Sequence, residues 1–318
     1  MTEQGLQTQI IPKAKAVINE VKKAVIGKDD IIIKTLLAIA AKGHILLDDI
    51  PGVGKTTLAV AFSKAMSLDY KRMQFTPDVM PADVTGFNIY NKHTAQFEFK
   101  EGAAMCSLFL ADEINRTSSK TQSALLEVME EGAVTVDGVT RVLPRPFIVI
   151  ATQNPIGSVG TQMLPESQLD RFIVKLSMGY PDIESEISIL KSKSASSVTD
   201  AVTPVATRQD IIMLQNAADE VFADDKIYHY IASLSAATRN HPMIKLGLSP
   251  RGTVALASMT KATALLHGRM YAIPDDVRYI FGDVAEHRII LTAKAKASGE
   301  TVKSVLSDII SSVPSPVI

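Results

Sequence analysis

The 318-residue chain has no tryptophan and a single cysteine, Cys106. One thiol cannot close an internal disulfide, and no cysteine-based zinc cluster can be assembled from it. No apolar run approaches the ~20 residues that span a bilayer, so membrane insertion is not expected. The amino-terminal stretch MTEQGLQTQIIPKAK lacks the apolar core of a secretion signal, and the expected location is cytoplasmic. An excess of one charge is also missing. Lys and Arg number 33 against 34 Asp and Glu, a formal net charge of −1. That excludes a bulk positive field for nucleic acid or anionic lipid, though not a local basic groove. Repeats and low-complexity tracts are absent from the sequence. What is present, 46% hydrophobic and 21% charged residues, is ordinary for a globular protein and long enough for two domains, each with its own core.

The two halves differ in texture. Up to about residue 178, short apolar runs alternate with amphipathic stretches: HILLDD (44–49), YKRMQFT (70–76), SLFLADE (107–113), PFIVIATQN (146–154) and FIVKLSM (172–178). Helical patterns such as TTLAVAFSKAMS and SKTQSALLEVMEEG separate several of them. Buried strands joined by helices predict a parallel α/β sheet. After the punctuation GYPD (179–182) the pattern turns helical near 183–192, 208–221, 226–239, 250–267 and 275–286, with a further helix after 300 and no strand. The expected organisation is a five-stranded parallel α/β core over 1–180, with an insert at about 77–104 and a hairpin at about 131–145, followed by a small all-α domain over 181–318. Asp137–Gly138 is the predicted turn of that hairpin.

In open parallel sheets, ligands bind beyond the carboxyl ends of the strands. The first strand ends in DDIPGVGKTT (48–57), which fits G-x-x-x-x-G-K-[ST] in every specified position but the first, where Asp49 replaces glycine. Pro51, Gly52, Val53, Gly54, Lys55, Thr56 and Thr57 are the candidate phosphate-binding residues. Glycines let backbone N–H groups turn around phosphate oxygens, and a helix amino terminus adds favourable partial charge. Lys55 would reach the β- and γ-phosphates, and Thr56 would place its hydroxyl on magnesium. The plainer alternative is a tight strand–helix turn with an exposed lysine, and Asp49 leans that way, although aspartate tolerates unusual backbone angles. The third strand decides between them. SLFLADE closes on Asp112, suited to hold magnesium, and Glu113, suited to polarise the attacking water. Two acids ending a buried strand about 55 residues after a glycine loop are far rarer than adjacent acids in a solvated loop. The fourth strand ends at Asn154, an amide able to hold the same water or the γ-phosphate, or simply to turn the chain. NKHT (91–94) lacks the carboxylate of a guanine-reading N-K-x-D motif and falls too early in the sheet, so ATP/ADP with Mg2+ is expected rather than GTP.

The sequence resembles the MoxR family of AAA+ ATPases along nearly its whole length. The stretches that carry the resemblance are GHILLDDIPGVGKTTLA (43–59), MQFTPDVMPADVTG (73–86), FLADEINRTSSKTQSALLEVMEEG (109–132), PFIVIATQNP (146–155), LPESQLDRF (164–172), LSPRG (248–252) and GRMYAIPDDV (268–277). The resemblance implies an AAA+ core with a helical lid, working as a ring that is commonly hexameric. It also implies that an acidic residue near Asp49 is a tolerated variant. Arg171 matches the arginine finger that completes a neighbouring subunit's site, against the plain reading of a local ion pair with Asp170. Arg116 is a second candidate for contact between subunits.

Ser249 and Pro250 read as a helix N-cap and first helical residue. Arg251 then sits in the first turn, where the helix dipole disfavours a cation unless an anion lies nearby. In the family this position matches the lid arginine that meets the γ-phosphate; the plain reading is an arginine bent into solvent. His287 and Arg288 match a lid motif of the same family. Phe87 and Tyr90 could face a ring pore, but read first as ordinary packing residues. IGSVGTQM (156–163) departs from the more acidic, aromatic version expected before LPE, which leaves that loop without an assigned role. The activity implied is Mg-dependent ATP hydrolysis that remodels or activates partner proteins, among them proteins with von Willebrand factor A-type domains, in metal insertion or complex maturation. A nucleic-acid motor or loader, and a nucleotide-gated scaffold without turnover, are the competing readings.

Overall fold

Apolar residues at helical spacing, Ile11, Ala14, Val17, Ile18 and Val21, give the first helix, α1 (Ile11–Ala24), one buried face. The computed structural model describes residues 9–154, 163–192 and 198–317. After α1 come α2 (Asp29–Ala40) and β1 (Ile45–Asp48), which a glycine loop joins to α3 (Lys55–Ala65) and then to β2 (Tyr70–Gln74). An antiparallel hairpin of β3 (Gly86–Asn91) and β4 (Gln96–Glu101) leads into β5 (Leu108–Asp112) and α4 (Ser119–Glu131). A second hairpin, β6 (Ala133–Val136) and β7 (Val139–Val142), precedes β8 (Ile148–Gln153) and β9 (Val174–Leu176). Asp137 and Gly138 carry φ of 50° and 77° at its turn, the paired positive angles that a two-residue hairpin loop requires.

The five expected strands form one parallel sheet in the order β2–β5–β8–β1–β9. Their side chains alternate between two apolar layers. Ile45, Leu47, Leu108, Leu110, Ile148 and Ile150 pack into one layer with α1–α3. Leu46, Phe109, Ala111, Val149 and Ala151 pack into the other, with Leu125 and Met129 of α4. Burial on both faces is why these strands read as unbroken apolar runs. Truncating a fully buried phenylalanine such as Phe109 to alanine costs ~3–5 kcal/mol.

The second half contains α5 (Ile183–Ser192), α6 (Arg208–Glu220), α7 (Asp225–Asn240), α8 (Pro250–Leu266), α9 (Pro274–Ala285) and α10 (Val302–Ser312). It is not all helical. β10 (Ile244–Leu246) and β11 (Ile290–Leu291) form a short antiparallel ladder, too brief and too interrupted to register as periodicity. Nor do its helices keep a separate core. Leu256, Ile280 and Val305 belong to the same apolar cluster as Leu36, Leu58 and Ile150, so the lid is docked by continuous packing. Phe87 and Tyr90 are not packing residues of the interior: they are 40% and 50% exposed on β3, where Tyr90 meets Phe97 edge-on.

Candidate nucleotide site

The carboxyl ends of β1, β2 and β5 open on a cleft of about 340 Å³ lined by the glycine loop, Lys55, Thr56, Thr57, Arg72, Gln74, Asp112 and Glu113. Gly52 and Gly54 hold φ of 87° and 99°, angles that a residue with a Cβ adopts only with strain. Gly54 is also the N-cap of α3, and no side chain caps that end. The first-turn N–H groups are therefore available to an anion. The Lys55 side chain is buried, and its ammonium donates to the carbonyls of Asp49 and Gln153. Burial lowers its pKa from the usual lysine range, while the carboxylates of Asp49 and Asp112 oppose that shift. A buried ammonium whose partners among the described residues are carbonyls has charge left for a phosphate.

Asp49 does not use the backbone tolerance that its residue type allows; its φ is not positive. Its carboxylate accepts hydrogen bonds from Ser177 Oγ at 3.1 Å, from Gly179 N at 3.2 Å and from Met178 N. The residue in the place of the first glycine thus ties the phosphate loop to the chain leaving β9. It is an anchor, and the loop's conformational demand falls on Gly52 and Gly54.

Asp112 and Glu113 do converge on this cleft. Asp112 accepts from Arg72 Nη2 at 2.8 Å and from Thr152 Oγ1 at 2.6 Å. Glu113 is left-handed, φ 57° and ψ 48°, a conformation that costs a non-glycine residue ~1 kcal/mol or more. The cost is met locally, because Glu113 N donates to Thr152 Oγ1 at 2.9 Å and Arg116 N donates to Glu113 O at 2.9 Å. The turn carries the Glu113 carboxylate to Arg116 Nη1 at 2.7 Å and Gln74 Nε2 at 3.4 Å. Arg116 therefore pairs with Glu113 of its own chain. At the end of β8, Asn154 O accepts from Asn115 Nδ2 at 3.1 Å.

Arg72, Gln74 and Thr152 are site residues that sequence reasoning missed. Arg72 and Gln74 alternate along β2, and that spacing next to an acid-terminated strand was the available signal. Also missed was the apolar side of the loop. A cavity of about 310 Å³ is lined by Val25, Ile26, Gly52, Val53, Pro181 and Ile189, among others, a size and polarity suited to a nucleobase.

Arg171 and Arg251 do not join this cleft. Arg171 Nη1 donates to Leu126 O at 2.7 Å and pairs with Glu130 at 2.9 Å. Arg251 pairs with the other oxygen of the same carboxylate. Ser249 caps α8 through Gly252 N at 2.9 Å, as expected, and the anion that relieves a cation in that first turn is Glu130. Asp170, the partner of Arg171 in the plainer reading, instead binds Arg288 at 2.6 Å. Except for Met163, the 156–163 loop lies outside the described residues.

Residues 44–174 match the ATPase family associated with various cellular activities (AAA), and residues 236–309 match the AAA lid domain. The chain is 48% identical to the uncharacterized protein YeaC of Bacillus subtilis, over 98% of this chain and 97% of that one. It is 35% identical to chaperone MoxR1 of Mycobacterium tuberculosis, over 98% of this chain and 85% of that one. The crystal structure of a Cytophaga hutchinsonii protein assigned as an ATPase superposes with a TM-score of 0.91 at 36% identity, covering 99% and 98% of the two chains. With its five-stranded parallel sheet, glycine loop and acid-terminated strand β5, the chain belongs to the MoxR family of AAA+ ATPases.

Proposed function

We propose that this ATPase hydrolyses Mg–ATP within a ring, commonly a hexamer in this family, and uses the cycle to remodel or activate partner proteins in the cytoplasm. The single observation that carries the catalytic part is the meeting of Lys55, Asp112 and Glu113 on one cleft at the carboxyl ends of β1 and β5. In this reading Pro51 to Thr57 wrap the phosphates and Lys55 transfers its ammonium from the carbonyls of Asp49 and Gln153 to phosphate oxygens. Magnesium, when bound, neutralises charge on the β- and γ-phosphates, and the oxygens of Thr56 and Asp112 are the kind of donor that it takes. Glu113, released from Arg116, polarises the water that attacks the γ-phosphorus as the bond to the ADP oxygen breaks; Asn154 orients that water. Arg171 and Arg251 line a separate pocket beside Glu130, which favours their action on a neighbouring subunit's phosphate. The partner class, including von Willebrand factor A-domain proteins, is inferred from family resemblance, and the chaperone role from the name of MoxR1.

A multiple-turnover phosphate-release assay with nucleotide binding measured in parallel tests the catalytic assignment. Lys55→Ala is expected to lose ATP binding. Glu113→Gln should keep binding and lose ~100-fold or more of turnover, because an amide polarises water poorly and takes no proton. Normal turnover in Glu113→Gln would remove Glu113 from its proposed role.

A further inference from the structure

The turn bearing Arg171 is gripped from the lid. Arg288 is 5% exposed, and each of its five N–H donors has an acceptor. Its Nε bonds Asp170 Oδ1 at 2.6 Å; Nη2 bonds Asp170 O at 3.0 Å and Phe172 O at 2.6 Å; Nη1 bonds Ile173 O at 3.2 Å and Val284 O. Four of the five acceptors thus lie on residues 170–173, on both sides of Arg171. Ser249, while capping α8, donates to Asp170 Oδ2 at 2.8 Å. His287 adds a bond of 3.0 Å to Phe172 O, with burial holding the imidazole neutral. Gly252 makes room for this arrangement: a Cβ there would stand 2.8 Å from Arg288 Cδ. The guanidinium of Arg171 then shares Glu130 with lid residue Arg251.

We propose that Arg288, acting through Asp170 and the carbonyls around it, is the positioning residue for Arg171, so that Arg171 and Arg251 are presented to the neighbouring subunit as one body. A buried charge pair of this kind is a poor source of stability compared with apolar packing. Its multidentate geometry instead fixes a backbone segment in place, which is what an arginine that must meet a phosphate on another chain requires. The proposal rests on the trans reading of Arg171 given above.

The test uses full-length rings. Asp170→Asn leaves every backbone-carbonyl bond of Arg288 in place and is the mild variant; Arg288→Lys is the severe one. Misplacement of an arginine by about 1 Å costs up to ~100-fold in rate, so kcat should fall by ~10-fold in Asp170→Asn and ~100-fold in Arg288→Lys. KM for ATP should stay within about threefold in both, because each subunit's own phosphate loop is intact. The decisive measurement is mixing. Either variant combined with Lys55→Ala subunits should regain activity, at interfaces where an intact loop meets an intact arginine turn. Either variant combined with Arg171→Ala should not, since the same arginine is misplaced in one subunit and missing from the other. Arg171→Ala mixed with Lys55→Ala runs alongside. If that pair recovers and the Asp170→Asn pair does not, or if Asp170→Asn alone turns over like wild type, Arg288 is only a lid-to-core fastening and the proposal fails. If Arg171→Ala with Lys55→Ala stays inactive in rings shown by native mass spectrometry to be mixed, the trans reading itself fails and takes the proposal with it.

Discussion

The cleft around Lys55 and the cluster around Glu130 use the same chemical materials, basic side chains held by acidic ones, yet they are built differently. In the cleft the key groups are fixed by backbone devices: two glycines with positive φ, a left-handed Glu113 and an uncapped helix end. The Glu130 cluster assembles Arg171 before β9, Glu130 on α4 and Arg251 on α8, side chains far apart in sequence and each partly open to water. Local backbone geometry makes a site readable and rigid. A site made from side chains on separate elements depends on how those elements dock, and so can respond when the docking changes.

The strongest way to break this comparison is Arg171→Ala. If the cluster serves a neighbouring cleft, turnover in rings should fall ~10³-fold or more, while nucleotide affinity and Tm barely move. Loss of affinity equal to the loss of turnover would place Arg171 in its own subunit's site instead.

Acid separates the two regions next. His44 Nε2 donates to Met129 O at 3.0 Å, one residue from Glu130, and its Nδ1 accepts from Val149 N at 3.0 Å. Burial pulls its pKa down to about 4. A neutral histidine in the fold and an ordinary one in the unfolded chain mean that the unfolded state binds more protons between those values. The stabilisation is therefore complete above pH ~6.5, is lost as pH falls toward 4, and amounts to on the order of 3 kcal/mol. Denaturant titrations at pH 7.5 and 5 should show the loss. His44→Gln should flatten it, and an unchanged pH dependence in that variant would exonerate His44.

Restoring the consensus glycine tests the cleft's anchor. Asp49→Gly removes the acceptor of Ser177, Met178 and Gly179, leaving the buried Met178 N–H unpaired at ~1–3 kcal/mol. A fall in Tm is the expected result. A variant as stable as the parent would show Asp49 to be dispensable.

The smallest expected change is the stability effect of Arg251→Ala. Its side chain and that of Glu130 are 46% and 39% exposed, so the pair contributes less than ~1 kcal/mol. Turnover should nevertheless fall clearly. Calorimetry beside the phosphate assay checks both, and a large Tm loss with intact ATPase would make Arg251 structural.

Motifs with fixed spacing carried most of the cleft. GVGKT, the acids ending SLFLADE and the five apolar runs were legible because each is a local pattern with one structural outcome, a strand feeding a helix or a turn. Arg72 and Thr152 were not, since a polar residue in a strand acquires meaning only from the strand hydrogen-bonded beside it. The β10–β11 ladder escaped for a related reason, having too few residues for a period of two to emerge.

By itself the chain's order of residues determined the parallel sheet, the phosphate loop and the pair of acids, because periodicity, glycine and capping act within a few residues of one another. Only the tertiary structure decided that Arg171 and Arg251 share one carboxylate, that Arg116 holds Glu113, that Asp49 is an anchor and that Arg288 grips residues 170–173. Those partners lie as many as 130 positions apart in the chain, and the identity of a charge's partner is set by which surfaces the apolar core brings together.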